Sequence, residues 1–144
     1  MNMKAYSIAA ALFLIHGVSW CQEWNSSLDH ALEDANRSNK KVLLYFSVPE
    51  ACDGCVALEK KVFGSEEFKV YAAANFILAK ANFSDTENPE AMTDNLLIVE
   101  KYNKDGFFPL VVLMDKNAKV LGKTGAYNNE DASAYISLLK SLEN

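Results

Sequence analysis

A continuous apolar segment of strand length, KVLLYFS at residues 41–47, is the feature that most constrains how this chain folds. A strand with one wet face alternates apolar and polar residues, whereas a strand buried on both faces is apolar throughout. The sheet that contains this strand must therefore be covered by helices on both sides. The residues before it predict one such helix, capped by Asn25 or Ser26, because their apolar side chains recur at the spacing of one helix face. Those side chains are Leu28, Ala31, Leu32 and Ala35.

The rest of the chain continues this alternation of helices and strands. Two further apolar runs, 75–82 and 109–115, predict strands, and a short turn joins the second of them to a fourth strand at 119–124. Helices are predicted between the early strands, with a break at Gly64, and the last helix is predicted to begin near Asn129. Long crossovers make the early strands parallel, and the short turn makes the last pair antiparallel. The predicted fold class is α/β, a mixed sheet sandwiched between helices in the order α-β-α-β-α-β-β-α.

The first nineteen residues predict an export signal. A short start with one positive charge, Lys4, precedes an eleven-residue apolar run at 5–15, and the small residues Gly17 and Ser19 follow it. The run is too short to cross a bilayer, which takes roughly 20 apolar residues. We therefore assign residues 1–19 to a signal peptide.

Cleavage after Ser19 or after Cys21 fits this layout, and residues 24–142 are assigned to the folded domain. A buried N-terminal helix is the alternative interpretation of the apolar run. Lipid anchoring of Cys21 is a second alternative, less favoured because bulky Trp20 stands where a bacterial lipoprotein signal has a small residue. Export would place the protein in the periplasm, an oxidising compartment in which a cysteine pair can rest as a disulfide.

The charge balance excludes two classes of partner. The chain has 14 basic and 19 acidic residues, which gives a formal net charge of −5 at pH 7. Nucleic-acid binding needs clustered Lys and Arg that displace phosphate counterions, and an anionic membrane surface attracts the same residue types. We therefore expect no nucleic-acid partner and no docking on a membrane surface.

Two of the three cysteines, Cys52 and Cys55, lie three residues apart where the buried strand gives way to a helix. The N–H groups and the positive dipole end of a helix N-terminus lower the pKa of a thiol, and the thiolate is the nucleophile in disulfide exchange. Cys52, nearer the helix start, is the expected attacking cysteine, and Cys55, one turn further, is the resolving one. Asp53 disfavours the Cys52 thiolate through like charge, which favours a reductase. Gly54 adds flexibility beside the pair.

Three other interpretations of the cysteine pair stay open. A structural disulfide across so short a loop would stabilise the fold by only about 2 kcal/mol. A structural zinc site needs two more ligands, and the exported chain offers only His30 and Cys21, so no metal is expected. Simple buried thiols are the third interpretation.

The cysteine motif and its surroundings resemble those of a known family. The chain resembles the thioredoxin family, and within it the exported proteins similar to the periplasmic C-terminal domain of the thiol:disulfide interchange reductase. The likeness extends over 24–142, nearly all of the exported chain. Its matching segments are 41–47, the Cys52–Cys55 motif with 58–63 after it, 78–82, and 102–115 with the Gly106-Phe107-Phe108-Pro109 loop.

The resemblance implies a thioredoxin-like fold and a thiol–disulfide oxidoreductase that needs no cofactor beyond its own disulfide. It implies that Pro109 is cis and packs beside the cysteines, and that Phe108 offers backbone N–H and C=O groups to an extended substrate peptide. The implied partners are exported proteins with disulfides or thiols, and a membrane or periplasmic redox partner; we expect a monomer. The alternative function is a peptide-binding, chaperone-like module without redox turnover.

Three positions depart from the family pattern. Ala51 stands where the family has a tryptophan before the first cysteine, and Asp53-Gly54 stands where Gly-Pro is common. The buried acid of the preceding strand would fall at Tyr45 or Phe46, so Cys55 lacks its usual carboxylate. The nearby candidates to tune the pair or take its proton are Glu50, Asp53 and Lys80.

Most of the other aromatic residues fall on strand or helix faces and are assigned to the core. They are Trp24, Tyr71, Phe76, Tyr102, Phe107 and Tyr127. Phe108 is excepted, because of its place beside Pro109.

Overall fold

The computed structural model describes residues 23–83 and 89–144. Its helices are α1 Leu28–Ser38, α2 Asp53–Leu58, α3 Glu66–Asn75, α4 Pro89–Tyr102 and α5 Ala132–Leu142. Its strands are β1 Lys41–Ser47, β2 Phe76–Asn82, β3 Leu110–Met114 and β4 Val120–Lys123. A 3-10 turn, Pro49–Ala51, precedes α2, and a π-helical turn, Glu59–Phe63, extends it. The predicted signal peptide and Cys21 lie outside the described residues, and no helix inside them is long and apolar enough to span a membrane.

The four described strands form one mixed sheet in the order β2-β1-β3-β4. β1 pairs in parallel with β2 over its full length, from Lys41 opposite Phe76 to Ser47 opposite Asn82. β3 is antiparallel to both β1 and β4. The predicted parallel early pair and antiparallel final pair are therefore confirmed. This order places β1, which leads directly to the cysteines, in the interior of the sheet.

Helices cover both faces of the sheet, as the unbroken apolar character of β1 predicts. Successive side chains of a strand point to opposite faces. One core accordingly contains Leu43 and Tyr45 and is closed by α2, α3 and α5. The other contains Val42, Leu44 and Phe46 and is closed by α1 and α4. The predicted α/β architecture is confirmed, and both cores hold β1 rigidly in place behind the site.

The cap of the first helix differs from the prediction. Ser27 caps α1, its hydroxyl accepting a hydrogen bond from the His30 N–H at 3.4 Å. Asn25 instead pairs with the edge strand β2: its N–H donates to the Leu78 carbonyl and its own carbonyl accepts from the Lys80 N–H, both at 2.9 Å. The segment before α1 thus covers part of the outer edge of the sheet, a use that helix periodicity does not reveal.

The last helix also begins later than predicted, at Ala132 rather than near Asn129. Asn129 has a φ of 67°, in the left-handed region, so it cannot belong to a right-handed helix. Asp131 caps the helix instead, its carboxylate accepting a hydrogen bond from the Ala134 N–H at 2.8 Å.

Candidate active site

The two cysteines lie where β1 has ended and α2 begins, joined as a disulfide with their Cα atoms 5.2 Å apart. Cys52 is the N-cap of α2, and its Sγ accepts a hydrogen bond from the Cys55 N–H at 3.0 Å. Cys52 is partly exposed, whereas Cys55 is completely buried. An outside sulfur can therefore approach Cys52 more easily than Cys55. The attacking and resolving roles of the two cysteines stay predictions.

Pro109 lies directly against the turn between the cysteines. The Phe108–Pro109 peptide bond is cis, as the family resemblance implies. A Cβ atom placed on Gly54 would come within 3.2 Å of the Cδ atom of Pro109, so a side chain at this position would crowd the proline ring. The close approach explains a glycine here, and it confirms that Pro109 packs beside the cysteine motif.

The two phenylalanines before Pro109 face different surroundings. The Phe108 ring is half-buried and meets the Phe83 ring edge-on, with centroids 6.1 Å apart. Among the described residues, neither backbone polar group of Phe108 has a hydrogen-bond partner. The Phe107 side chain is 66% exposed, so its assignment to the core was wrong. It lies on the loop between α4 and β3, where strand and helix periodicity do not apply.

One acidic side chain that the sequence analysis did not single out, Glu59, lies close to the buried cysteine. Its backbone N–H donates to the Cys55 carbonyl, which places it one turn further along the same helix. Its Oε1 atom is 2.9 Å from the Lys80 ammonium, 3.1 Å from the Ser47 hydroxyl and 3.2 Å from the Tyr45 hydroxyl. A carboxylate with three donors is held in one orientation and keeps its charge compensated.

Tyr45 stands at one of the two positions where the resemblance places the family's buried acid. Burial, together with the negative charge of Glu59, raises the pKa of its hydroxyl well above the usual value near 10. Tyr45 therefore stays protonated at neutral pH and can donate to Glu59. Its hydroxyl oxygen also lies 3.5 Å from the Cys55 carbonyl oxygen, so it connects the carboxylate to the backbone of the buried cysteine. Strand β1 thus supplies the hydroxyl donor, Tyr45, and the helical turn after α2 supplies the carboxylate, Glu59.

The register of the sheet explains how the Lys80 side chain reaches Tyr45 and Glu59. In the parallel pairing of β1 and β2, Lys80 lies opposite Tyr45, and its Nζ atom is 5.5 Å from the centre of the Tyr45 ring. Lys80, one of the candidates to tune the cysteine pair, thus lies beside the Glu59 carboxylate. The sequence feature that could have pointed to Glu59 is its spacing of four residues from Cys55, because this spacing puts two helical side chains on one face.

The other residues expected to tune the cysteine pair lie at the protein surface. Glu50 and Ala51 are exposed in the turn before Cys52, and Asp53 is exposed at the first position of α2. Ala51 offers no aromatic ring over the disulfide, as expected. Across 23–83 and 89–144, no three Cys, His, Asp or Glu side chains are grouped so as to hold a metal ion.

Comparison with known proteins gives the same family. The model of the thioredoxin-like domain matches residues 28–140. The disulfide bond reductase DsbH of Chlamydia pneumoniae is 26% identical over 121 residues, which are 83% of this chain and 71% of that protein. A solved DsbH oxidoreductase superposes with a TM-score of 0.76 at 26% identity, covering 84% of this chain and 83% of the other.

Two more distant structures share the fold. The disulphide isomerase from Xylella fastidiosa Temecula1 has a TM-score of 0.65 at 21% identity, covering 90% of this chain and 95% of the other. The oxidised C-terminal domain of DsbD from Neisseria meningitidis has a TM-score of 0.58 at 17% identity, covering 83% of this chain and 98% of the other. At these identities the likeness concerns the fold alone.

Proposed function

This chain belongs to the thioredoxin-like domain family and is a thiol–disulfide oxidoreductase, and we propose that it is exported and reduces or reshuffles disulfides of other exported proteins. The observation that carries the proposal is the partly exposed Cys52, bonded to a buried Cys55 beside Pro109. The name of the Chlamydia pneumoniae relative, a disulfide bond reductase, supports the reducing direction. The layout of residues 1–19 supports export to the periplasm, with 24–142 as the working domain.

Substrate binding in this proposal uses the loop that ends in Pro109. The backbone N–H and C=O of Phe108 accept an extended substrate segment as a short added strand, since both groups lack partners among the described residues. Pro109 closes that side of the site against the cysteine turn. The substrate disulfide then lies beside the exposed edge of Cys52.

The first chemical step starts from the reduced enzyme. The Cys52 thiolate, stabilised by the Cys55 N–H at the start of α2, attacks one sulfur of the substrate disulfide. A bond forms between Cys52 and that sulfur, and the substrate disulfide breaks. The second substrate sulfur leaves as a thiolate and takes a proton from water.

The second step releases the substrate. Cys55 gives its proton to the Glu59 carboxylate one turn away, and its thiolate attacks the Cys52 sulfur. The Cys52–Cys55 disulfide forms as the mixed disulfide breaks, and the departing substrate thiolate receives the proton. The substrate disulfide has gained two electrons and the enzyme has lost them, so an external dithiol, from a membrane or periplasmic redox partner, must reduce the enzyme again.

The direct test is catalysed reduction of a protein disulfide. We expect the purified full chain to accelerate the reduction of insulin by dithiothreitol, followed as the precipitation of the released chain. An unchanged rate at enzyme concentrations comparable to the substrate would contradict the proposal.

Asp53 is proposed to tune the direction of the reaction. Its exposed carboxylate lies next to Cys52 and disfavours the thiolate, so Asp53→Ala should stabilise the reduced form and raise the reduction potential. We expect a rise of about 20 mV or less, because a charge exposed to water acts weakly. Asp29→Ala, which removes a first-turn acid from α1 instead, is the matched control. Equal potentials for the two variants would show that Asp53 has no such role.

A further inference from the structure

We propose that Asn103 is a positioning residue for substrate binding, and that the Phe107 ring it holds in place selects substrates with an apolar side chain beside the reacting cysteine. The proposal rests on the proposed reduction of protein disulfides. It concerns residues 103–107, here called the Asn103 loop, which connects α4 to the Phe108–Pro109 peptide bond.

The Asn103 loop is a tight turn built on one buried residue. Asn103 is only 3% exposed, and its N–H donates to the Val99 carbonyl at 2.8 Å, which continues the hydrogen bonding of α4. Its own carbonyl accepts from the Gly106 N–H at 2.9 Å, which closes the turn. Gly106 has a φ of 69°, a backbone conformation that disfavours residues with a Cβ atom. The turn therefore reverses the chain directly after the helix.

The side chain of Asn103 fixes both backbone groups of Phe107. Its Oδ1 atom accepts a hydrogen bond from the Phe107 N–H at 3.0 Å, and its Nδ2 atom donates to the Phe107 carbonyl at 2.8 Å. A side-chain amide offers a donor and an acceptor at this reach, whereas a carboxylate would lose the donor and an aliphatic side chain would lose both. This clamp, the pair of hydrogen bonds from Asn103, fixes the Phe107 backbone on both sides of its Cα atom, two residues before the proline.

This clamp decides which backbone groups a substrate can use. The Phe107 N–H already donates to Asn103 and its C=O already accepts from Asn103, so both groups are less available to an added strand than those of Phe108. Phe108 is the next residue, and its backbone groups have no partner in the described part of the chain. The register of a bound peptide is thereby set at Phe108, one residue from Pro109.

The clamp also explains why a large apolar ring stays in water. The hydrogen bonds to Asn103 hold the Phe107 backbone in the loop, and the residue is 66% exposed, so its ring lies largely in water next to Phe108. An exposed ring next to Phe108, the residue that pairs with the substrate, is suited to cover an apolar side chain of the bound peptide. The partner chemistry is thus an extended segment with an aliphatic or aromatic residue adjacent to its cysteine.

The test compares three substrates with wild type and variants of the full chain. Two are peptide disulfides that differ only in leucine or serine next to the cysteine, and the third is hydroxyethyl disulfide, too small to pair with the loop. Phe107→Ala should lower the preference for the leucine peptide over the serine peptide by about 5-fold or more, through KM rather than kcat. Val70→Ala, which trims an equally exposed apolar side chain on α3, is the control and should change no ratio.

Asn103 is tested by removing its hydrogen bonds stepwise. Asn103→Ala should raise KM for both peptides about 10-fold relative to hydroxyethyl disulfide, since two hydrogen bonds that fix the loop are lost. Asn103→Ser is neutral and smaller, and its hydroxyl can keep one of the two hydrogen bonds at most, so it should give a smaller rise. If Asn103→Ala fails to fold, Asn103→Ser carries the same comparison.

The outcomes separate the two proposals. A wild type that reduces none of the three substrates contradicts the proposed function. A wild type that reduces all three, with Asn103 variants that lose peptide and hydroxyethyl disulfide activity equally, shows a purely structural role and overturns the positioning role. An unchanged peptide preference in Phe107→Ala overturns the selection by its ring.

Discussion

Replacing Cys55 with serine is expected to yield a protein that attacks substrate disulfides and then stops, linked to its substrates through Cys52. The reason is burial: Cys52 is open to an outside sulfur, whereas Cys55 is enclosed and can only attack Cys52. Cys52→Ser should instead lose turnover by about 1000-fold or more, because the nucleophile itself is gone. Non-reducing gels of the variants with insulin, followed by mass spectrometry of the linked peptides, measure both effects.

The doubly substituted chain, with serine at 52 and 55, is the matched control and should trap nothing. Mixed disulfides that form through Cys55 in Cys52→Ser would reverse the assignment of the two roles. If neither single variant forms a mixed disulfide, the cysteine pair does not carry out thiol–disulfide exchange.

The second large effect is expected at Glu59. Glu59→Gln keeps the size of the side chain and an oxygen for Lys80, Ser47 and Tyr45, but it removes the carboxylate proposed to take the Cys55 proton. We expect the release step at pH 7 to slow by about 100-fold, the usual scale for the loss of a positioned base. The mixed disulfide through Cys52 should accumulate in rapid-quench experiments, while the rate of its formation changes little.

The pH dependence distinguishes loss of a base from loss of structure. As the pH rises, hydroxide can take the Cys55 proton in place of Glu59, so the slowing of the release step in Glu59→Gln should shrink. Glu67→Gln, which removes an exposed carboxylate from the first turn of α3, should behave as wild type. A release step at pH 7 as fast as that of wild type would show that another group takes the proton.

Much of the fold could be predicted because β1 leaves few choices. A seven-residue apolar strand must have helices on both faces, and both cores of the structure contain its side chains. The cysteine pair could be placed because a strand followed by a turn and a helix start fixes where Cys52 lies. Strand order could not be read, because side-chain periodicity carries no information on which strands are neighbours.

The rest of the site depends on contacts between distant segments. Lys80 reaches Glu59 because β2 pairs with β1 in a register that sets Lys80 opposite Tyr45, and that register follows from the packed sheet. Phe107 was assigned to the core with the aromatic residues of strand and helix faces. It is instead exposed in a loop whose backbone is bonded to the Asn103 side chain, and a pattern of apolar residues does not reveal such a contact.

The reduction potential of the Cys52–Cys55 couple tests the central claim most directly. It is measured by equilibrating the full chain with dithiothreitol or glutathione buffers and counting free thiols. For a reductase we expect a value near or below about −250 mV, in the range of reducing thioredoxin-like proteins. A value near about −120 mV would mark an oxidant and contradict the reducing direction. A pair that never equilibrates with the buffer would contradict a redox role altogether.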